Sequence, residues 1–167
     1  MAHKGIDKMI EYREILKEDI PKIAKLYISL ALYIKNETHD PYFEFNNLSE
    51  QDLVVSLKKD MEDERKRILV AIEKDSIVGF IAGGIIDCFL PFSNVAKVGY
   101  ISAAYVSEEN RNHGIMKVLE KMIANDFKEK NISYLELNVI SNNFVGKKTW
   151  EKLGYNTFRD QMRKRLF

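Results

Sequence analysis

Between positions 106 and 116 the chain reads Val106-Ser107-Glu108-Glu109-Asn110-Arg111-Asn112-His113-Gly114-Ile115-Met116. An arginine, a few small or polar residues and a glycine join an apolar, β-prone segment to an amphipathic one. A strand that feeds a helix through such a loop leaves several main-chain N–H groups without partners and aims them at one point. The positive end of the helix dipole points the same way, and the combination binds phosphate. The expectation is that Asn112, His113, Gly114, Ile115 and Met116 hold a pyrophosphate with their main chain while Arg111 adds charge nearby. His113 reads either as a solvent-facing loop residue or as a further phosphate contact.

The elements that must position this loop are legible from periodicity. Glu11 to Leu16 predicts a short strand. Glu18 and Asp19 then offer an N-cap ahead of Pro21, and Ile20, Ile23, Ala24, Tyr27, Leu30, Ala31 and Ile34 follow at helical spacing. Asn36 to Asn47 reads as a polar and aromatic loop. Ser49 with Asp52 resembles a capping box ahead of a helix through Leu53, Val54, Leu57 and Met61. Arg67 to Glu73 and Ile77 to Ile86 predict a hairpin closed by the three residues Lys74-Asp75-Ser76. Ala96 to Val106 is a third β-like run. Ile115, Val118, Leu119, Met122, Ile123 and Phe127 mark one face of a helix, and Tyr134 to Ile140 alternates as a strand. Asn142 and Asn143 precede a last helix that Gly154 stops as its C′ residue. Tyr155 to Phe158 and Gln161 to Leu166 read as closing strands. The order β-α-α-β-β-β-α-β-α-β predicts an α/β (α+β) fold, a mixed sheet with helices on both faces.

Composition narrows the function classes. The 167 residues fit one domain, 1–167, with residues 1–9 expected to be disordered. A net charge of +1 gives no general attraction to nucleic acid or acidic membranes. The basic tail Arg159, Arg163, Lys164 and Arg165 is interrupted by Asp160 and reads as a solvated strand end rather than a nucleic-acid patch. The first nine residues hold no apolar run, so no secretory signal is expected. The longest apolar stretch, Ile77 to Ile86, is too short for a bilayer. Cys88 is the single cysteine, which suits a reducing, cytoplasmic compartment and reads as a small buried apolar residue. His3, His39 and His113 are too dispersed for a metal site, so no metal is expected.

The element order, with Arg111-Asn112-His113-Gly114-Ile115-Met116 at the strand-to-helix junction, resembles the GNAT superfamily of N-acetyltransferases. The family motif there is R/Q-x-x-G-x-G/A after V-x-P-x-x, and Val106, Arg111 and Gly114 match it. A second family pattern, N-x-x-A-x-x-(apolar)-Y-x-x-x-G-F, aligns with Asn143, Gly146, Thr149, Trp150, Gly154 and Tyr155. Arg13, Asp19, Ile20 and Ile23, and the hairpin around Ala71-Ile72-Glu73 and Ile77-Val78-Gly79, are also similar to family segments. Gly146 stands for the alanine and Tyr155 for the phenylalanine, and four further departures bear on the chemistry. Glu108 stands for the usual proline, Asn112 for a common glycine, Met116 for the terminal glycine or alanine, and Trp150 for the tyrosine. Asn tolerates positive φ better than most residues. Met116 adds bulk beside the expected cofactor.

The resemblance implies a mostly antiparallel central sheet and acetyl-CoA, or another acyl-CoA, as the cofactor. Its pantetheine arm is expected along Ala104, Tyr105 and Val106, where a main-chain N–H would polarise the thioester carbonyl. Asn143 is expected to cap the last helix, to face that arm, or both. The acceptor would be a small amine or a protein amino group, attacking directly as a free amine. An alkylammonium of pKa about 10 must first lose a proton. Tyr100, Ser102 and Glu44 are the candidates for placing the water that takes it. Glu44 also belongs, with Tyr42 and Phe45, to a loop expected to wall the acceptor site. An indole N–H is no usable acid, but a thiolate of pKa about 8.5 leaves with weak assistance. Tyr155 is a distant fallback for that proton. The other reading is a non-catalytic CoA-binding or interaction module on the same fold. A homodimer is compatible with either.

Overall fold

The computed structural model describes residues 9–167; the expectation for the N-terminal segment falls, Met9 aside, outside the described residues. The elements are β1 (Glu11–Glu14), α1 (Ile20–Thr38), α2 (Glu50–Glu62), β2 (Lys66–Glu73), β3 (Ser76–Asp87), β4 (Lys97–Val106), α3 (Ile115–Glu129), β5 (Leu135–Leu137) and α4 (Phe144–Lys152). One sheet runs β1-β2-β3-β4-β5. Its first three pairings are antiparallel, and β4 with β5 is parallel. That single parallel pair needs a crossover, and α3 supplies it. The mixed, mostly antiparallel sheet is the one expected.

Apolar alternation in β2, β3 and β4 feeds two cores. Ile68, Val70, Phe80, Ala82 and Ala103 meet Ile20, Ile23 and Ala24 of α1 and Leu57 of α2 on one face. Leu69, Ala71, Val78, Ile81 and Ile101 meet Ile115, Leu119, Ile123 and Phe127 of α3 on the other. The α3 anchors recur every fourth residue, so all four point at the sheet. Each fully buried side chain of this kind contributes about 2 kcal/mol. Close approach is required where Phe127 crosses Gly99, since a Cβ there would lie 2.5 Å from the ring.

Four expectations need correction. The β2–β3 hairpin closes on two residues, because Ser76 pairs with Glu73. Lys74 and Asp75 take φ of 46° and 65°, the left-handed pair that matches strand twist. Helix α1 runs on through Asn36, Glu37 and Thr38, where a loop was expected. β5 keeps only three of the residues expected between Tyr134 and Ile140. Residues 155–158 and 161–166 form no strands. So short a β5 offers little edge for a ladder, and tail side chains settle on loops instead.

Asp19 occupies the N-cap position of α1 but does not cap it with its side chain. Its carboxylate accepts from Arg13 at 2.6 Å and from the Leu16 N–H at 2.7 Å, tying β1 to the start of α1. Burial opposes that charge, but the Arg13 hydrogen bond, the Leu16 amide and the Arg13 charge outweigh it, so the carboxyl titrates below its ordinary range. A depressed carboxyl stabilises the fold above its unfolded pKa of about 3.9 and loses that contribution as pH falls through the folded value. Asp19→Ala is expected to cost about 2 kcal/mol at neutral pH by urea unfolding, with the gap to wild type shrinking below about pH 4.

Candidate functional site

The site begins with one extra residue in β4. Ala103 pairs with Ala82, but the next pair is Ile101 with Gly83, so Ser102 has no partner of its own. A bulge of this kind shifts the alternation of the strand and bends it. Ile101 packs toward α3, whereas Ala103 packs toward α1 and α2. Main-chain groups shift with the side chains. Before the bulge, the Gly99 N–H donates to Tyr134 O at 2.9 Å, and pairing with β5 stops at Ile101. After it, the Ser107 N–H donates to Val78 O of β3 at 2.9 Å. Alternation then puts the peptide groups of Ala104 and Val106 on the side that β5 has left.

The loop after β4 ends at that open edge. A short 3-10 turn, Glu108–Asn110, brings in Asn110, which is buried and donates to Ser107 Oγ at 3.0 Å. Asn112 and Gly114 then take φ of 64° and 78°. The tolerance of Asn for this conformation is what the position requires. Gly114 is the N-cap residue of α3, with no side-chain cap. The first intrahelical bond runs from the Val118 N–H to Gly114 O, so no helix carbonyl serves the amides of Ile115, Met116 and Lys117. A Cβ on Gly114 would meet nothing within 4 Å, which leaves an open approach to those donors. Asn112, His113 and Gly114 are exposed, Ile115 is buried, and Met116 packs into the α3 core rather than across the loop.

Arg111 does more than add charge beside the loop. Its Nε donates to Val106 O at 3.1 Å. Its guanidinium lies 5.0 Å from the Tyr33 ring of α1 and 5.9 Å from the Tyr105 ring of β4. The side chain therefore clamps the end of β4 to α1. Tyr33 was missed because it stands off the apolar stripe of α1, and Arg111 draws it in.

Among the other candidates, Tyr100 pairs with Glu136 in the stretch still flanked by β5, ahead of the bulge. The Ser102 hydroxyl donates to Ala82 O at 3.3 Å. Asn143 caps α4 by accepting the Gly146 N–H at 2.9 Å, and a Cβ on Gly146 would crowd that cap at 2.7 Å. At the other end of α4, Gly154 N–H reaches Glu151 O and Tyr155 N–H reaches Trp150 O, with Gly154 at φ 96°. This is a left-handed helix stop, and its apolar contact is the edge-on pair of Trp150 and Tyr155, 5.3 Å apart. The Tyr155 hydroxyl donates to Glu120 at 3.0 Å. Burial, then the Glu120 charge and hydrogen bond, push its pKa up, which makes it a poor proton donor.

Asn142 donates to Thr38 O at 3.4 Å, so the start of α4 meets the end of α1. The loop that follows α1 therefore stands beside α4. In it Tyr42 is exposed and stacks edge-on with Phe43, Phe45 is exposed, and Glu44 pairs with Lys35 at 2.6 Å. Tyr105 and Val106 thus meet Arg111 directly, Ala104 packs against the α3-side core, and Tyr42, Glu44, Phe45 and Asn143 sit on elements joined to the loop through α1. Among the described residues, no helix is long and apolar enough to cross a membrane.

The model of the acetyltransferase (GNAT) family matches residues 31–155, which span the bulged strand, the loop and α4. The chain belongs to the GNAT acetyltransferase family. Among solved structures, a predicted acetyltransferase with acetyl-CoA from Clostridium acetobutylicum is 21% identical, with TM-score 0.76 over 95% of this chain and 97% of that one. A possible acetyltransferase from Clostridium difficile 630 is 26% identical, with TM-score 0.70 over 95% and 98%. The aminoglycoside N-acetyltransferase AAC(6')-Iy in complex with CoA is 13% identical, with TM-score 0.76 over 99% and 98%. No curated protein sequence matches this chain.

Arg111→Gln removes the stacking and weakens the bond to Val106 O. Without any ligand it is expected to lower stability by about 1–2 kcal/mol, read by chemical denaturation. A group whose only work was to contact a phosphate would leave unliganded stability unchanged.

Proposed function

We propose that this chain moves an acetyl group from acetyl-CoA to a primary amine. The observation that carries the reading is the uncapped start of α3, with Gly114 open before it, set against the unpaired β4 edge at Ala104 to Val106. Main-chain donors at a helix start suit a diphosphate, and an unpaired strand edge suits an amide-bearing arm lying alongside it. The amides of Asn112 to Met116 would hold the pyrophosphate. The edge groups of Ala104 and the Val106 N–H would pair with the pantetheine, the Val106 carbonyl being taken by Arg111. Acetyl-CoA supplies the activated acyl group.

An edge amide beside the thioester would stabilise the negative charge that develops on the carbonyl oxygen. The acceptor nitrogen forms the new C–N bond as the C–S bond breaks. The nitrogen gives up one proton, and the departing sulfur ends as a thiol. Tyr100 and Ser102 remain the candidates for ordering the water that carries the first proton away, while Glu44 is already paired with Lys35. Arg111 supports this site by fixing the strand end rather than by charge alone.

A second reading, a CoA-binding module without turnover, is favoured by Trp150 at the family tyrosine position and by Tyr155 bonded to Glu120. Release of free thiol from acetyl-CoA with a panel of amines, and mass spectrometry of the product, separates the two. Acetylated amine supports transfer; binding without product supports the module.

Gly114→Glu adds a carboxylate at the open approach, and acetyl-CoA affinity is expected to fall at least tenfold by calorimetry. Unchanged affinity would exclude this loop as the diphosphate site. Trp150→Phe keeps an aromatic ring against Tyr155, so turnover is expected to stay within a few-fold; a loss of orders of magnitude would give the indole a chemical role.

A further inference from the structure

The outward edge of β4 is not uniform. Ala104 and Val106 both turn their peptide groups to the side that β5 has left. The last group of that row, the Val106 carbonyl, is already taken, because Arg111 Nε donates to it at 3.1 Å. The chain turns back on itself to make this bond, five residues after the carbonyl it serves. Ring faces hold the donor in place. The guanidinium lies 5.0 Å from the Tyr33 ring and 5.9 Å from the Tyr105 ring. Tyr105 packs against the core that α1 and α2 share, and Tyr33 stands on a helix anchored there by Ile20, Ile23 and Ala24. A guanidinium set against two rings loses much of its freedom, so its Nε is aimed before any ligand arrives.

An amide-bearing arm on a strand edge behaves as a further strand. It pairs with whichever edge groups are free, and a slip of one pairing step covers two residues, about 7 Å. The diphosphate fixes one end of the arm at the start of α3, but the arm itself is a flexible chain. The edge must therefore set how far the arm extends. With the Val106 carbonyl occupied, the first carbonyl that the arm meets from the loop end is that of Ala104, close to the bulge at Ser102.

We propose that Arg111, aimed by Tyr33, is a register stop: it withholds the Val106 carbonyl from the pantetheine arm and so sets where the thioester lies along β4. Both are positioning residues, and the assignment rests on the acyl-CoA reading above. Without the stop, the arm pairs with Val106 and the thioester withdraws from the bulge by up to one step. A reacting centre misplaced by 1 Å can lose about 100-fold in rate. The slipped arm exchanges one main-chain bond for another, so its affinity changes little. The signature is a fall in kcat without a matching rise in KM.

The test compares wild type, Tyr33→Leu, Tyr33→Phe and Arg111→Met in the full chain, with acetyl-CoA varied at a saturating amine. Arg111→Met and Tyr33→Leu are expected to lower kcat at least about tenfold while KM for acetyl-CoA stays within about threefold. Tyr33→Phe keeps the ring face and is expected to restore the wild-type kcat. A KM that rises by as much as kcat falls, or a kcat left intact, overturns the stop and leaves acyl transfer standing. Crystals soaked in acetyl-CoA give a second readout. Arg111 is expected to keep the Val106 carbonyl in wild type, and the arm to take that carbonyl in Arg111→Met. An arm that displaces Arg111 in wild type, or lies in one position in both proteins, overturns the stop. If no amine is acetylated, the transfer reading fails by itself and the crystals alone decide the stop by the same two outcomes.

Discussion

An unpartnered residue in β4 is the constraint on which this molecule turns. Without Ser102 out of register, Ala103 would point toward α3 as Ile101 does, and β5 could follow β4 to its end. With it, the strand changes faces in mid-course. Ala103 and Tyr105 join the α1 and α2 core, and the peptide groups of Ala104 and Val106 are left without a ladder. Unpaired main-chain groups at the middle of a sheet are costly when buried, so such an edge persists only where something else answers it. Here Arg111 answers the Val106 carbonyl. The groups of Ala104 stay on the open side.

The loop that follows is held by side chains working on main chain. Buried Asn110 braces Ser107, Asn112 and Gly114 accept left-handed backbone, and Ile115 plunges into the core to fix the first turn of α3. Arg111 stands between two tyrosines from different elements, so it ties the loop and the strand end to α1. The departures from the family motif fit this geometry. Asn112 can adopt the turn that a glycine would, and Met116 spends its bulk on the core. Trp150 and Tyr155 finish α4 as a packed pair.

The loops after α1 and between β3 and β4 are held differently, by charges and rings on exposed chain. Lys35 with Glu44, Asp40 with Arg163, and Phe89 with Arg159 draw three separate stretches together. Such contacts are individually weak, each worth about 1 kcal/mol or less. The α3 face of the sheet is anchored by buried aliphatic and aromatic side chains, and these loops by partly solvated pairs. The two regions thus differ in local stability for a plain reason, the amount of apolar surface each removes from water.

The amino-acid sequence by itself determined the element order as far as the last helix, the αL-tolerant residues at Asn112 and Gly114, the Asn143 cap and the Gly154 stop, because each rests on local periodicity or local backbone preference. It also carried the family resemblance. Only the tertiary structure decided the rest. Alternation in Ala96 to Val106 holds no sign that Ser102 is the extra residue, since a bulge is defined against the partner strand. The missing closing strands have the same origin, because a ladder needs an edge and β5 is three residues long. Arg111 between Tyr33 and Tyr105, and Arg163 against Asp40 and Tyr42, join residues far apart in the chain, where charge and ring find each other only after the sheet has folded.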